Sequence, residues 1–356
     1  MDGSGLLDLS RERLVQVDAV LARFFSLAKN RAKPFGQQYV QLWETLENNT
    51  VGGKRFRPRM VMCAYQSLGG EDLEAAANVG AAFELLHTAL IVHDDVIDHD
   101  FTRRGLPNIA GTYRDRATAA GASTRVADHS GISAAVIAGD LALFNSYRLI
   151  DRSGADDHTR ARLLEVMDDA LFASAAGELI DVDFQISTEV PRVDDILTME
   201  RYKTAVYSFE CPLQAGAILA GASEEVVSTL GDFGREIGIA YQIVDDLLGV
   251  FGLQEETGKT TIGDLREGKR TVLIAYATST REWAEVAPML GDPELTDAQA
   301  QRLRDVLIDC GARSFAEGLA RYYANRSLAR LAEPHIPPAL RAELHPVVDS
   351  VLGRVK

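Results

Sequence analysis

Two apolar segments of this 356-residue chain each run into a pair of aspartates, and that placement limits the possible folds more than any other feature. The first is FELLHTALIVHDDVID, residues 83–98, and the second is GIAYQIVDDLLG, residues 238–249. On a helix, Asp94 and Asp98 lie one turn apart on a shared face. Like charges so placed repel by roughly a few tenths of a kcal/mol when exposed. Ala89-Leu90-Ile91-Val92 leads straight into them, so a partly enclosed site is expected, where unpaired carboxylates are costly. A divalent cation removes the conflict, and hard carboxylate oxygens suit magnesium, which takes few carboxylates and bridges to substrate phosphates. An isolated DDxxD is as readily a solvated acidic helix end. The second cluster, Asp245 and Asp246, lies about 150 residues on, a separation suited to helices facing each other across a bundle.

Helical signals dominate the rest of the chain. Apolar residues recur at helical spacing through 73–98, 160–186, 196–221, 226–251 and 298–332, and alternating β-branched runs are nearly absent. This predicts an all-α protein. Turns are expected at Gly69-Gly70, Gly105-Leu106-Pro107, Ser153-Gly154, Val190-Pro191 and Gly221-Ala222. Asp194, Asp195 and Ser223 are placed as N-cap or first-turn residues. Residues 111–133 are small and polar and are expected to form a mobile loop, and 280–297, with Gly-Asp-Pro, a further break. Neither reads as an interdomain linker, so one domain over residues 1–356 is expected.

Composition narrows the function. A net charge of −15 argues against a nucleic-acid partner, which needs broad basic surfaces. Local basic clusters beside bound metal can still hold a diphosphate. No run reaches the roughly 18 unbroken apolar residues of a membrane helix, and MDGSGLLDLSRERL lacks a basic start followed by an apolar core, so no signal peptide is expected. Cys63, Cys211 and Cys310 are scattered and fit neither a disulfide framework nor a CxxC metal site. The expectation is a cytoplasmic protein with no membrane anchor.

Basic groups accompany both acidic clusters. Lys54, Arg55 and Arg57 lie in GGKRFRP, where Gly52-Gly53 allows close backbone approach to a ligand. Arg103-Arg104-Gly105 follows the first cluster, Lys203 and Thr204 lie in RYKTAVYSFECP, and Lys259, Lys269 and Arg270 follow the second cluster in TGKTTIGDLREGKRT. Any one is ordinary surface charge. Together they supply cations for two anionic groups, one with metal and one without.

With GGKRFRP at 52–58, DDVIDHDFTRRG at 94–105, KTAVYSFE at 203–210 and GIAYQIVDDLLGVFG at 238–252, continuing into TGK and EGKRTV, the chain resembles the trans-isoprenyl diphosphate synthase (polyprenyl synthetase) family over about residues 45–275. It looks nearest to bacterial geranylgeranyl diphosphate synthases. The resemblance implies a helical bundle of the isoprenoid-synthase kind around a central cavity, and a homodimer. It also implies head-to-tail condensation of isopentenyl diphosphate with an allylic diphosphate, giving geranylgeranyl diphosphate, with farnesyl or geranylfarnesyl diphosphate as alternatives.

By similarity, Asp94 and Asp98 coordinate two magnesium ions and Asp245 a third, with Asp95 and Asp246 as shared or outer ligands. Arg103, Lys203, Thr204, Gln242, Lys259 and Lys269 would hold the allylic diphosphate. Lys54, Arg57, His87 and Arg104 would hold isopentenyl diphosphate. A lone His on an apolar helix is more often a satisfied core residue, but His87 lies seven residues before Asp94, two turns back on its face. Asp94, Asp98, Asp245, Lys203 and Lys259 form the implied catalytic set, which stabilises charge on the departing diphosphate and needs no protein base.

The chain departs from the family pattern at Gly249, where many members have a third Asp, at Glu178, where Gln is usual, and in GLPNIAG after Arg104. Ala89 and Leu90, five and four residues before Asp94, leave the pocket without an aromatic stop there. Five residues span roughly 7.5 Å of helix, so a deeper tunnel is expected, floored by Phe83 or by Leu141, Phe144 and Tyr147. A class I terpene cyclase would show an NSE-type second metal motif, which is absent here. A silent partner subunit would be expected to have lost ligands from the two clusters.

Overall fold

The computed structural model describes residues 11–51, 55–103, 105–187, 189–252 and 262–354. They divide into two compact units. The first holds the described residues up to Asp168 together with Pro212–Ser223, and the second holds Asp169–Cys211 together with those from Glu224 onward.

The first unit contains α1 (Arg11–Ala32), α2 (Gln37–Thr50), α3 (Phe56–Ser67), α4 (Leu73–Ile97), the two-residue strands β1 (Thr102–Arg103) and β2 (Leu106–Pro107), α5 (Ile109–Ala119) and α6 (Thr124–Asp151). Helix α7 (Asp157–Ile186) starts in this unit and runs on into the second. Helix α4 is the core element. It opens on Asp72, whose side chain accepts hydrogen bonds from Glu74 N and Ala75 N. Because it is apolar over most of its circumference before its last turns, it needs other helices around it, and α1, α3 and α6 pack against it. By length and composition it would qualify to cross a membrane, but 83% of its most apolar window is buried within the protein, as befits a core helix. Phe83, Leu85 and Leu86 are fully buried, each worth about 1.5–3 kcal/mol in apolar burial.

Residues 111–133 correct the expectation of a mobile loop. They form most of α5 and the start of α6, with a turn between them at Gly121, whose φ is 87°. Asn108 caps α5 by accepting from Gly111 N at 2.8 Å. The small residues reflect close packing: a Cβ on Gly111 would collide with the Phe101 carbonyl, and one on Gly131 with the Ala110 carbonyl. Alanine's high helix propensity supplies the rest.

The second unit continues through α8 (Val193–Glu200), a π-helical segment (Arg201–Glu210), and Cys211, the first residue of α9 (Cys211–Leu219), whose remaining residues belong to the first unit. It then contains α10 (Glu224–Phe251), α11 (Gly263–Glu267), α12 (Val272–Ala277), α13 (Trp283–Val286), α14 (Asp297–Asp309), α15 (Ala312–Leu331) and α16 (Pro338–Gly353). Helix α10 is its centre, packed against the π segment, α15 and α16. Residues 280–297 carry only α13 and a single 3₁₀ turn, so the break expected there is present.

The π segment has a local cause. Pro212 supplies no N–H, and its ring excludes the carbonyl four residues back, so the preceding turns widen. Cys211 N accordingly donates to the carbonyl of Val206, five residues earlier. Helix α10 accepts this wider segment through glycine: a Cβ on Gly238 would lie 2.7 Å from the Cα of Ala205.

Candidate active site

One candidate cluster lies in the first unit, at the C-terminal end of α4. His87, Leu90, Ile91, Asp94 and Asp98 are half-buried there, whereas Ala89, Val92 and Asp95 are buried. Asp94 and Asp98 therefore share the open face of the helix, and Asp95 points into the protein. Asp98 ends the helix, its N–H bonded to the Asp94 carbonyl at 2.9 Å.

Arg103 is presented by the β1–β2 ribbon, in which it pairs with Leu106. Its Nε donates to Asp95 Oδ1 at 2.9 Å, and its Nη2 donates to the same oxygen at 2.6 Å and to Asp94 Oδ2 at 3.3 Å. Burial pushes the Asp95 carboxyl up, Arg103 pulls it back and Asp94 adds repulsion, leaving it above the ordinary value. Burial likewise works against the Arg103 charge, but Asp95 and Asp94 outweigh it and its pKa is raised. Arg103 thus ties down the inward carboxylate and reaches the outward one.

Arg57, expected at the isopentenyl diphosphate, is half-buried in the first turn of α3. Lys54, Arg104 and Lys259, together with Gly52 and Gly53, lie outside the described residues. Arg55, which sequence reasoning did not assign, is nearly buried in the left-handed region at φ 49°. It donates to Thr50 O at 2.7 Å, to Asp18 Oδ1 at 3.0 Å and to Glu84 Oε1 at 3.0 Å. It thereby anchors the chain next to GGK to α4, one turn before His87.

A separate acidic cluster lies in the second unit. Asp245 is part-exposed and Asp246 nearly buried on α10. Gln242 Nε2 donates to Asp246 Oδ1 at 3.0 Å. Burial, then the Asp264 charge, pushes the Asp246 carboxyl up to about 7. Glu200 stands against it, 2% exposed, and is pushed well above the carboxylate range by burial and then by Asp246. With both carboxyls raised, a proton held between Glu200 and Asp246 supplies the hydrogen bond that two carboxylates alone would lack. Asp245 is held by Arg354, whose Nη2 donates to its Oδ1 at 2.9 Å and whose guanidinium lies 4.7 Å from the centre of the Tyr241 ring.

Lys203 and Thr204 sit half-buried on the π segment. Lys203 Nζ pairs with Asp181 Oδ2 at 2.6 Å and Glu178 Oε2 at 3.1 Å. Lys269 pairs with Asp264 Oδ1 and Glu267 Oε2, both at 3.1 Å. Burial opposes its charge, but the two carboxylates more than offset this and its pKa is raised. A Cβ at Gly249 would fall against the end of the Asp264 side chain, which would have to turn away. A third aspartate on α10 at this position would meet Asp264.

Among the described residues, no three His, Cys, Asp or Glu side chains are gathered as a metal cage. Magnesium asks for less, usually one or two carboxylates completed by waters and substrate phosphates. The part-exposed carboxylates of Asp94 and Asp98 in the first unit, and that of Asp245 in the second, each offer the oxygen ligands such an ion takes.

Against known proteins, residues 40–307 match the family model for polyprenyl synthetase. The chain belongs to the polyprenyl synthetase family. It is 33% identical over 311 residues to a geranylfarnesyl diphosphate synthase of Aeropyrum pernix, covering 86% of this chain and 92% of the relative. It is 34% identical over 282 residues to a geranylgeranyl diphosphate synthase of Sulfolobus acidocaldarius, covering 78% and 79%. The crystal structure of a geranylgeranyl pyrophosphate synthase from Corynebacterium glutamicum, complexed with isoprenyl diphosphate and magnesium, superposes with a TM-score of 0.90 at 29% identity, covering 98% of this chain and all of that one. As a polyprenyl synthetase, the chain is a transferase of prenyl groups with the all-α fold of those enzymes.

Proposed function

We propose that this synthetase condenses isopentenyl diphosphate head to tail with an allylic diphosphate and releases geranylgeranyl diphosphate. The observation that carries the reading is the open face of α4, where His87, Asp94 and Asp98 align beside Arg103. Asp94, Asp98 and Asp245 would hold magnesium, three ions by the family resemblance, with Asp95 and Asp246 behind them. Bound magnesium supplies charge stabilisation for the departing diphosphate.

The chain's own residues do the remainder. Arg103, Lys203, Thr204, Gln242, Lys259 and Lys269 hold the allylic diphosphate, and Lys54, Arg57, His87 and Arg104 hold isopentenyl diphosphate. Asp181 and Glu178 fix where the Lys203 ammonium stands, and Asp264 does the same for Lys269. The double bond of isopentenyl diphosphate attacks the allylic C1 as its C–O bond to diphosphate breaks. The new cation then loses a proton to the departing diphosphate. No Ser-His-Asp set is needed.

A twenty-carbon product is supported by Ala89, which offers no aromatic stop, and by Phe83 deeper along α4, fully buried. In the other candidate floor, Leu141, Phe144 and Tyr147, Phe144 is 66% exposed, whereas Leu141 and Tyr147 are half-buried. The family match runs through both compact units, which supports one functional domain. A cytoplasmic homodimer belongs to the same proposal.

The test is a product assay with magnesium, labelled isopentenyl diphosphate and, in turn, dimethylallyl, geranyl and farnesyl diphosphate. A linear C20 alcohol after dephosphorylation is the expected result. No incorporation by folded protein with any starter would overturn the reading.

A further inference from the structure

The first unit carries a groove of 1110 Å³ walled by α1, α2, the N-terminal end of α4 and the C-terminal half of α6. Its walls include Phe24, Leu27, Phe35, Tyr39, Trp43 and Phe144. Four of the rings form a continuous run: Phe24 to Trp43 at 6.0 Å, Trp43 to Tyr39 at 6.2 Å and Tyr39 to Phe35 at 5.8 Å between centroids. Leu27 is 59% exposed and Phe35 78%. Contiguous exposed apolar surface of this kind marks a binding site more often than a structural accident.

Charge distinguishes the groove further. Four arginines line it, Arg23, Arg31, Arg148 and Arg152, against two carboxylates, Asp72 and Glu74. Both carboxylates are committed, Asp72 to capping α4 and Glu74 to Arg23 at 2.9 Å. Among the described residues, Arg31, Arg148 and Arg152 have no carboxylate within 4.0 Å. Arg148 donates to Asn145 Oδ1 at 3.1 Å, and its pKa is lowered by burial and then by Arg152 and Arg31. The C-termini of α1 and α6 answer part of this charge, but three arginines repelling one another remain in a chain of net charge −15. The pattern of an aromatic trough with a cluster of cations fits an amphipathic anion.

We propose that this groove is a second, non-catalytic site for a prenyl diphosphate, its tail along the aromatic wall and its diphosphate on Arg31, Arg148 and Arg152. The identity of the ligand rests on the function proposed above, whose product is such a molecule. The groove is separate from the metal cluster: its nearest residue on α4, Asn78, lies sixteen residues before Asp94, about 24 Å along the helix. Its concavity suits one enclosed chain rather than a lipid surface.

The experiment counts geranylgeranyl diphosphate sites on the full-length protein by calorimetry in magnesium, for the native chain and for Arg31→Glu/Arg148→Glu. Initial condensation rates are measured on both. Two sites per native chain are expected, with one weakened at least ~tenfold in the variant and the condensation rate unchanged. One site in the native chain, or two undiminished sites in the variant, would overturn the proposal. So would dissociation of an oligomer by Leu27→Asp in sedimentation, which would assign the groove to a second copy. Condensation with a single site would sink the groove alone. A second site lost in the variant, without condensation by either protein, would sink the catalytic reading alone.

Discussion

Arg55→Ala is expected to destabilise the protein by about 3–5 kcal/mol, the cost of removing one partner from a buried ion pair. The magnitude follows from what is left behind. The Arg55 side chain is 7% exposed and that of Glu84 8%, so the substitution strands a carboxylate away from water. Glu84 Oε2 already lacks a hydrogen-bond partner. The Thr50 carbonyl loses its 2.7 Å donor as well. Asp18 is 55% exposed and adds under about 1 kcal/mol. Backbone strain supplies a control. At φ 49° an alanine keeps the left-handed penalty and a glycine does not, so Arg55→Gly is expected to be more stable than Arg55→Ala by about 1 kcal/mol. Arg55→Met/Glu84→Leu removes both charges and is expected to recover most of the loss. Urea unfolding at 25 °C, with midpoint and slope from circular dichroism, measures these four proteins and the single variants Arg55→Met and Glu84→Leu. Loss of under about 1 kcal/mol in Arg55→Ala, or a double variant as unstable as the two single losses summed, would refute the argument. Because Arg55 adjoins GGK and precedes Arg57 by two residues, the KM for isopentenyl diphosphate is expected to rise more than that for the allylic substrate.

Asp94→Asn and Asp245→Asn are each expected to lower kcat by about 10²–10³ with the fold retained, since each removes a charge that anchors stabilisation of the leaving diphosphate; steady-state rates and circular dichroism check this. Ala89→Phe is expected to shift products below C20 in the chromatographic assay, because Ala89 shares the α4 side on which Gly139 of α6 closes against His93; an unchanged product would show that this seam is not the tunnel wall. Native protein treated with iodoacetamide is expected to label at Cys310, which is half-buried, and not at Cys63 or Cys211, which are buried. Burial, then Glu210 and Asp169, also pushes the Cys211 thiol well up, so its thiolate is scarce; rapid labelling of Cys211 by mass spectrometry would contradict the packing.

Legibility in the sequence followed locality. Asp94, Asp98 and His87 could be read because helical spacing alone sets their shared face, and all three are half-buried on it, in keeping with the partly enclosed site expected. The same spacing shows why Asp95, one residue on, turns inward to Arg103. Partners from distant segments could not be read. Nothing adjacent to Lys203 announces Asp181 or Glu178, and nothing near Asp245 announces Arg354, because those contacts come from packing α7 and the C-terminal end against the site helices. Residues 111–133 were misleading for a physical reason: small side chains serve flexible loops and tight helix seams equally well, and only the neighbours decide which. The π segment left one local trace, Pro212, at its C-terminal edge.

The Arg354–Asp245 contact carries a thermodynamic consequence. A guanidinium at 2.9 Å already occupies the approach to that carboxylate. A divalent ion binding Asp245 competes with it, so the apparent metal affinity equals the intrinsic one reduced by the fraction of molecules in which Arg354 has let go. Exchange also works in reverse: whatever draws Arg354 away, including a polyanion that prefers it to Asp245, tightens the ion by the same factor. If Asp245 takes the ion as proposed, a metal and a polyanion that draws Arg354 away would bind as mutually reinforcing ligands.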